Sequence, residues 1–581
     1  MNKNTVLAFL LIALILIMMP EYFKMIGLAN ESPPTNDQTN KVPVDGPKSE
    51  RDNNFKPLGS DEQQTSFSTD EDDPPTSSIT LKDTIQEVVL TIETNLYTAL
   101  VSSKGGGTLQ SYEVNNYDHW EGGKVDLIDT TLNAGNPMLV IGTGNGLDTL
   151  TTTFKLEEGG YYDNKTVKIN EATTLTFHLG ERPGVVSTTK TLTFYPDSYR
   201  IGVDVDVVSR AGAPKIYLLW SGGLPVTEKD TSDDTYYIEA GLLQGGELFS
   251  ISGSDGEKAG NNSETLWAAV RTKYFTSALI SAPQHQHTSA SSGLIKSKKI
   301  KSKKDGGTGG TPQHSAQLGF DGGRAELGLY LGPLEYDRIA DLDVDLEQTM
   351  NLGWAPIRPI GKGILWILTN LYEIIPNYGV LLIVFSILVK VVLHPLTRKS
   401  YKSTKEMQAI QPLVADLKNK YKGDSQKLNQ ETMKLYKEHG VSPLGGCLPM
   451  LLQMPILIAL FTVFRSTIVF RGAPFMLWIT DLSQPDQLFN LPFTIPLLGW
   501  STFNVLPILM GATMLYQQKT MSVQSPSQQK SFMYIMNGFF LIIFYTFPSG
   551  LNLYYTCFNV LTILQQKYMV HPSSPPPVKS N

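Results

Sequence analysis

The second half of the chain is a succession of apolar runs separated by short polar loops, and this constrains the fold more than any other feature. The runs cover 378–393, 448–470, 503–516, 532–547 and 551–564, and none contains Asp or Glu. Segments of this kind cross lipid as helices, because only an internal hydrogen-bond ladder satisfies the backbone there. A sixth run, 6–19, lies near the N-terminus and ends at Pro20. It fits an uncleaved signal anchor (1–28) better than a cleaved signal peptide. The small-residue site Gly27-Leu28-Ala29 is separated from the apolar core by Glu21 and Lys24. Six transmembrane helices are therefore expected. Several runs reach only about 14–16 residues against the ~20 that a normal hydrocarbon core requires, so flanking residues or a thinned bilayer must supply the rest.

The first half is of another kind, which is why the net charge of −7 and the mean hydropathy of −0.11 describe neither half. Residues 29–78 are rich in Pro, Ser, Asp and Asn and cannot bury enough apolar surface to offset ordering, so they read as a disordered tether. Between 79 and 350, short alternating runs rich in Thr, Val, Tyr and Phe recur at 87–93, 149–155, 173–179, 187–195, 201–208 and 325–331. Gly and Asp-Gly turns punctuate them, and a large β-sandwich is the fold they predict. The stretch 289–311 carries Lys296, Lys298, Lys299, Lys301, Lys303 and Lys304. A basic run can hold anionic lipid or nucleic acid, but a solvated hairpin insertion is the simpler reading. The two cysteines, Cys447 and Cys557, imply no disulfide framework. Gly142-Thr-Gly-Asn-Gly146 reads as a β-turn, because no helix follows to make it a phosphate loop. For His285 and His287 no third metal ligand is in view, and no metal or cofactor is expected.

Residues 351–376 open with Trp354-Ala-Pro-Ile-Arg-Pro and then place Ile364, Leu368, Leu371 and Ile375 at helical spacing. An amphipathic helix lying in the membrane interface is expected there. Within 377–570, charge sets the orientation. The segment 397–446 carries ten Lys or Arg against five acids, whereas 471–502 carries one Arg and two Asp. The positive-inside rule puts the first in the cytoplasm and the second outside. Both termini are then cytoplasmic, including the short Pro-rich tail 571–581, and the β-domain lies outside. The basic loop 397–440 has Met407, Ile410, Val414, Leu417 and Tyr421 on one seam, then a Gly423-Asp424 turn and a second helical pattern ending at His439-Gly440. This helical hairpin, with Lys399, Lys402, Lys405, Lys418, Lys420 and Lys422, could dock a ribosome or nascent chain. Basic faces also arise from topology alone.

One lysine interrupts the apolar run 378–393. An ammonium in hydrocarbon costs roughly 2.5–3.5 kcal/mol, so such charges usually mark function. Four residues from the end of the run, Lys390 could also simply snorkel. Ser386, Lys390 and His394 share one helix face at i, i+4 and i+8. Asn552, Tyr555, Asn559 and Thr562 form a second polar stripe on the last helix, with Tyr554 beside it, and Gln453 and Thr513 or Gln517 could contribute from two more helices. One stripe could be interhelical hydrogen bonding at about 0.6 kcal/mol per bond. Two stripes around a lysine, in spans lacking carboxylates, favour a hydrophilic groove.

Six motifs in order resemble the bacterial YidC membrane protein insertase family. They are Val389-Lys-Val-Val-Leu-His-Pro-Leu-Thr397, Ser442-Pro-Leu-Gly-Gly-Cys-Leu-Pro449, Gln453-Met-Pro-Ile456, Phe470-Arg-Gly-Ala-Pro-Phe475, Leu506-Pro-Ile-Leu-Met-Gly-Ala-Thr-Met514 and Phe547-Pro-Ser-Gly-Leu-Asn-Leu-Tyr-Tyr555. The first half, with Leu96-Tyr-Thr-Ala-Leu and Lys104-Gly-Gly-Gly-Thr-Leu, resembles that family's large periplasmic domain more loosely. The resemblance implies a periplasmic β-super-sandwich, five helices after the anchor, and a groove open to cytoplasm and lipid that holds one positive residue. That residue is usually arginine, and Lys390 takes its place here; Ser386 stands where threonine is usual. It further implies a monomer in the bacterial inner membrane. The implied partners are nascent membrane proteins, the bilayer, the ribosome and Sec translocon components, with no direct nucleic-acid contact. An ion-coupled transporter would more often show inverted repeats or an intramembrane acid. A membrane-anchored carbohydrate enzyme would need a pair of catalytic carboxylates. No nucleotide-binding P-loop motif is present.

Overall fold

The computed structural model describes residues 85–568 except 134, 144–145, 158–164, 211, 253–255, 282–289, 301–310, 442–447, 496–497 and 522–526. The anchor 1–28, the tether 29–78, His285, His287, Cys447 and the tail 571–581 lie outside the described residues.

Alternation builds the β-domain. Along Arg200–Ser209, Ile201, Val203, Val205 and Val207 are buried while Arg200, Asp204 and Val208 face outward. Its antiparallel neighbour Val185–Phe194 sets Leu192 opposite Val203 and Lys190 opposite Val205. Both belong to a 14-stranded sheet, and a five-stranded sheet stands beside it. Phe275–Ser281 is buried at every position, flanked by Gly256–Arg271 and Arg324–Pro333. The sheets share a core in which Tyr97 and Tyr112 stack at 4.3 Å and Tyr199 lies 6.4 Å from Tyr97. Lys190 is wholly buried in it, its Nζ donating to Pro137 O at 3.0 Å and to Gly105 O and Gly107 O at 3.4 Å. Burial pushes that ammonium down to about 7.

Two sequence expectations differ from the structure here. The run 149–155 is not one strand: Gly146–Thr149 ends there and Lys155–Leu156 begins a separate strand. The backbone between them bonds to loops instead, with Phe154 N donating to Ser103 O and Gly105 N to Thr152 O, while Leu150 and Phe154 still enter the core. The basic stretch is only partly an insertion. Ala290–Ile300 is a full strand of the large sheet, paired with Thr311–Phe320, and Ile295 and Ser297 point inward. Lys296 and Lys298 therefore occupy outward positions of a sheet strand, half-buried and exposed respectively, as alternation dictates.

Eight helices of the second half are numbered α1 (Arg358–Tyr372), α2 (Tyr378–Ala409), α3 (Gln411–Lys420), α4 (Ser425–Glu438), α5 (Leu448–Ser466), α6 (Val505–Met521), α7 (Ser527–Phe544) and α8 (Ser549–Tyr568). Asn377 caps α2 by accepting from Val380 N. Pro395 does not end this helix, which spans 32 residues in all and runs on to Ala409. Proline removes one ladder bond, and Thr397 Oγ1 donates to Leu393 O at 2.9 Å and His394 O at 3.3 Å, giving these carbonyls a second partner. Pro412 instead starts α3, where its missing N–H costs nothing. Gly423 at φ 98° makes the turn to α4, and Asp424 caps it by accepting from Lys427 N. Among the described residues, one helical stretch, Tyr378–Arg398, is long and apolar enough to cross a membrane; Gln453–Ser466 and Tyr534–Phe544 are shorter apolar helices. Between α5 and α6 a two-stranded sheet pairs Gln487–Ile495 with Trp500–Asn504.

Candidate functional site

Lys390 sits where α2 packs on α8. Its side chain is 8 % exposed. Nζ donates to Thr562 Oγ1 at 2.7 Å and lies 4.6 Å from the centroid of the Phe558 ring. Thr562 in turn donates to Phe558 O, one turn earlier in α8. A neutral hydroxyl and the negative face of an aromatic ring thus receive the ammonium. His394, one turn beyond Lys390, has its Nδ1 2.6 Å from Gln565 Nε2, which requires the ring to accept there if the amide donates. The face of α2 therefore meets Phe558, Thr562 and Gln565 of α8.

The remaining residues of the predicted constellation are distributed differently. Ser386 is buried but turns back to donate to Leu382 O within its own helix. Asn559 Nδ2 donates to Thr513 Oγ1 at 3.3 Å, tying α8 to α6. Asn552 donates to Phe544 O at 3.0 Å and Phe547 O at 3.4 Å, closing the end of α7 where Pro548 breaks the chain. Tyr554 and Tyr555 are buried, with Tyr554 5.9 Å from Phe385 and Tyr555 5.5 Å from Phe544 between ring centroids. Gln453 is half-buried in α5, and its Nε2 has no hydrogen-bond partner among the described residues. Gln517 is half-buried in α6, and its neighbour Gln518 accepts from Asn537 of α7. Lys390, His394 and Thr562 come together; Asn552 and Asn559 tie α8 to the end of α7 and to α6, whereas Ser386 bonds within α2. Gln565 and Phe558 were missed from sequence, although Gln565 lies three residues beyond Thr562 and extends the same stripe.

The hairpin α3–α4 carries its basic residues outward. The hairpin begins at Gln411 rather than at 397, because α2 continues to Ala409 and carries Lys399, Lys402 and Lys405. Lys402, Lys418, Lys420 and Lys422 are exposed and Lys405 is half-buried. Lys402 pairs with Glu406 at 3.8 Å, and Lys420 lies over the Tyr421 ring at 5.6 Å.

At the other end of the bundle, charged groups bind the helices to the β-domain. Arg465, at the end of α5, is 3.8 Å from Asp233, whose other oxygen accepts from Lys273 at 2.8 Å. Asp234 is fully buried and accepts from the backbone N–H of Thr227 and of Lys273. Its burial raises its pKa against the lowering effect of those two bonds.

Comparison with known proteins agrees along nearly the whole chain. The family described as 60Kd inner membrane protein matches residues 370–574, and the YidC periplasmic domain matches residues 89–367. The membrane protein insertase YidC of Chlorobium luteolum is 35 % identical over 598 residues, covering 99 % of this chain and 96 % of that protein. That of Chlorobium phaeovibrioides is 37 % identical over 501 residues, covering 83 % of each. A solved structure of an active YidC insertase with its first transmembrane domain resolved is 19 % identical, with a TM-score of 0.35, covering 83 % of this chain and 95 % of that one. With a mostly β-sheet periplasmic domain followed by a helical C-terminal region, the chain belongs to the YidC family of membrane protein insertases.

Proposed function

We propose that this protein inserts nascent proteins into the bacterial inner membrane, and that Lys390 is the residue that draws a substrate's polar flank into the helix bundle. The observation that carries this is the burial of the Lys390 ammonium where α2 meets α8, with Thr562 and the Phe558 ring against it. Two unit charges 4 Å apart attract by about 4 kcal/mol at an effective dielectric of 20. That is comparable with the roughly 2.5–3.5 kcal/mol cost of taking an acidic side chain into the bilayer centre. A carboxylate entering between α2 and α8 and taking the place of Thr562 at Nζ therefore has most of its burial cost offset.

In this reading the chain crosses the membrane six times with both termini cytoplasmic. The hairpin α3–α4 receives the nascent chain from the ribosome, and the Sec translocon is a cooperating partner for some substrates. Ser386, His394, Gln453, Gln517, Asn552, Tyr554, Tyr555, Asn559 and Thr562 line or support the path around Lys390. The substrate's apolar segment leaves sideways into lipid past α5 and α7, gaining about 0.8 kcal/mol per buried methylene. The membrane potential adds about 2.3 kcal/mol per charge per 100 mV. Lysine keeps the charge while giving up arginine's planar fork, so the attraction here is that of a point charge.

The test is rescue of insertase-depleted cells by Lys390→Ala, Lys390→Arg and Lys390→Glu, scored on insertion of a single-span protein with an acidic outer tail. Loss with Ala and Glu and retention with Arg are expected. Full activity of the Glu variant would overturn the electrostatic role.

A further inference from the structure

Where the β-domain meets α1, the structure contains a cavity of about 180 Å³. Its floor comes from two paired strands, Glu239–Gln244 and Gly256–Arg271, which set Gly241 opposite Ala269 and Glu239 opposite Arg271. Small residues at one pair leave the space, and the next pair on the same face supplies charge. Gln348 and Asn351 form part of the rim, together with Arg358, the first residue of α1.

Arg271 is 5 % exposed, yet its Nε and Nη1 have no hydrogen-bond partner among the described residues. The nearest carboxylate oxygen, Glu239 Oε2, stands 3.5 Å from Nε, a Coulombic contact rather than a hydrogen bond. Buried polar groups are nearly always hydrogen-bonded, so a guanidinium with unmet donors on a cavity wall marks a position for an anion. Two arginines against one glutamate leave the lining net positive. The volume is small beside the 300–1,000 Å³ typical of pockets for drug-sized ligands, and suits a phosphate ester.

The surroundings identify the source of that phosphate. Ser466 Oγ, at the end of α5, donates to Asn351 O at 2.7 Å, and Thr462 Oγ1 reaches Leu352 O at 3.4 Å, so the rim rests on the helix bundle. Trp354 and Trp366, flanking Arg358 in sequence, are each 66 % exposed, as aromatic anchors at a lipid surface are. We propose that this cavity binds the phosphate headgroup of an anionic phospholipid, gripped by Arg271 from the strand floor and by Arg358 from the start of α1. The assignment rests on the reading of α1 as an interfacial helix, but its test does not depend on insertion activity.

The experiment measures binding of short-chain, soluble phosphatidylglycerol to the purified full-length protein in a neutral detergent. Phosphatidylcholine of the same chain length and inorganic phosphate serve as parallel probes, and Arg271→Gln, Arg271→Lys and Arg358→Ala as variants. Saturable phosphatidylglycerol binding is expected, at least tenfold tighter than phosphatidylcholine because two arginines repel the choline cation. Arg358→Ala should weaken it about tenfold, Arg271→Gln should abolish it, and Arg271→Lys should keep part of it. Equal binding of both lipids, or unchanged affinity in Arg358→Ala, overturns the proposal. Inorganic phosphate binding as tightly as the lipid would assign the cavity to a free anion and overturn the lipid source. If Arg271→Gln does not fold, Arg358→Ala and the lipid comparison decide.

Discussion

Arg471 Nε donates to Glu228 Oε1 at 2.7 Å, with the two side chains 9 % and 7 % exposed, so one buried ion pair joins the loop after α5 to the β-domain. The same guanidinium donates to Asp118 O at 3.1 Å and Thr227 O at 3.4 Å. Removing one partner of a buried pair strands the other, at about 3–5 kcal/mol. Arg471→Met or Glu228→Met should each lower stability by that order in detergent. The double variant should recover part of the loss, because no unmatched charge remains. Chemical unfolding of the four proteins checks this, and simple additivity would show that the pair contributes nothing of its own.

His314 gives the β-domain an acid sensitivity. The ring is buried, both nitrogens lack a hydrogen-bond partner among the described residues, and burial pushes its pKa down to about 4 from 6.5. The unfolded chain takes up the proton first, so stability is full above 6.5 and falls as pH drops towards 4. Between pH 7 and pH 5 the loss should be about 2 kcal/mol. His314→Gln should flatten that part of the stability curve, measured by denaturant unfolding at several pH values.

Gly550 is the contact point of α8 with α5. A Cβ there would stand 2.3 Å from Phe464 Cε1 and 3.2 Å from Leu482 O. Gly550→Ala should therefore cost about 1–3 kcal/mol through overpacking. Adding Phe464→Leu should restore part of it, as read from thermal melts of the purified protein.

Thr562→Val keeps the shape of the side chain and removes the acceptor for Lys390. If the hydroxyl only stabilises, the cost is about 1–3 kcal/mol and insertion falls equally for all substrates. If it holds the ammonium ready for an entering acid, loss should be greatest for substrates with acidic outer tails, and Thr562→Ser should restore it. Insertion of matched acidic and neutral tails in depleted cells separates the two.

Strand positions were legible because alternation is local. Thr173–Leu179 was found to the residue, and Arg200–Ser209 and Arg324–Pro333 to within one or two. Phe275–Ser281 was not, since burial on both faces erases the alternation and its Thr and Ser residues dilute the apolar signal. Lys190 escaped notice because it occupies an inward position in a Thr-rich strand, and only the distant carbonyls of Gly105, Gly107 and Pro137 explain it. Within the bundle, periodicity placed Lys390 and Thr562 each on a polar face, but that those faces meet is a property of helix packing. It equally could not reveal that Asn552 turns towards the α7 break instead of towards Lys390. The Arg471–Glu228 pair spans 243 positions and left no local trace.

The continuity of α2 has a mechanical meaning. A helix rises about 1.5 Å per residue, so the hairpin end of α2 at Ala409 stands about 28 Å from Lys390 along one uninterrupted rod. Pro395 is the weakest joint in that rod, five residues beyond the lysine. No loop separates the hairpin from the Lys390–Thr562 contact, so any bending of α2 between them concentrates at this proline. The hairpin and the buried lysine thus share one helix, and Thr562 meets it on the near side of the proline joint.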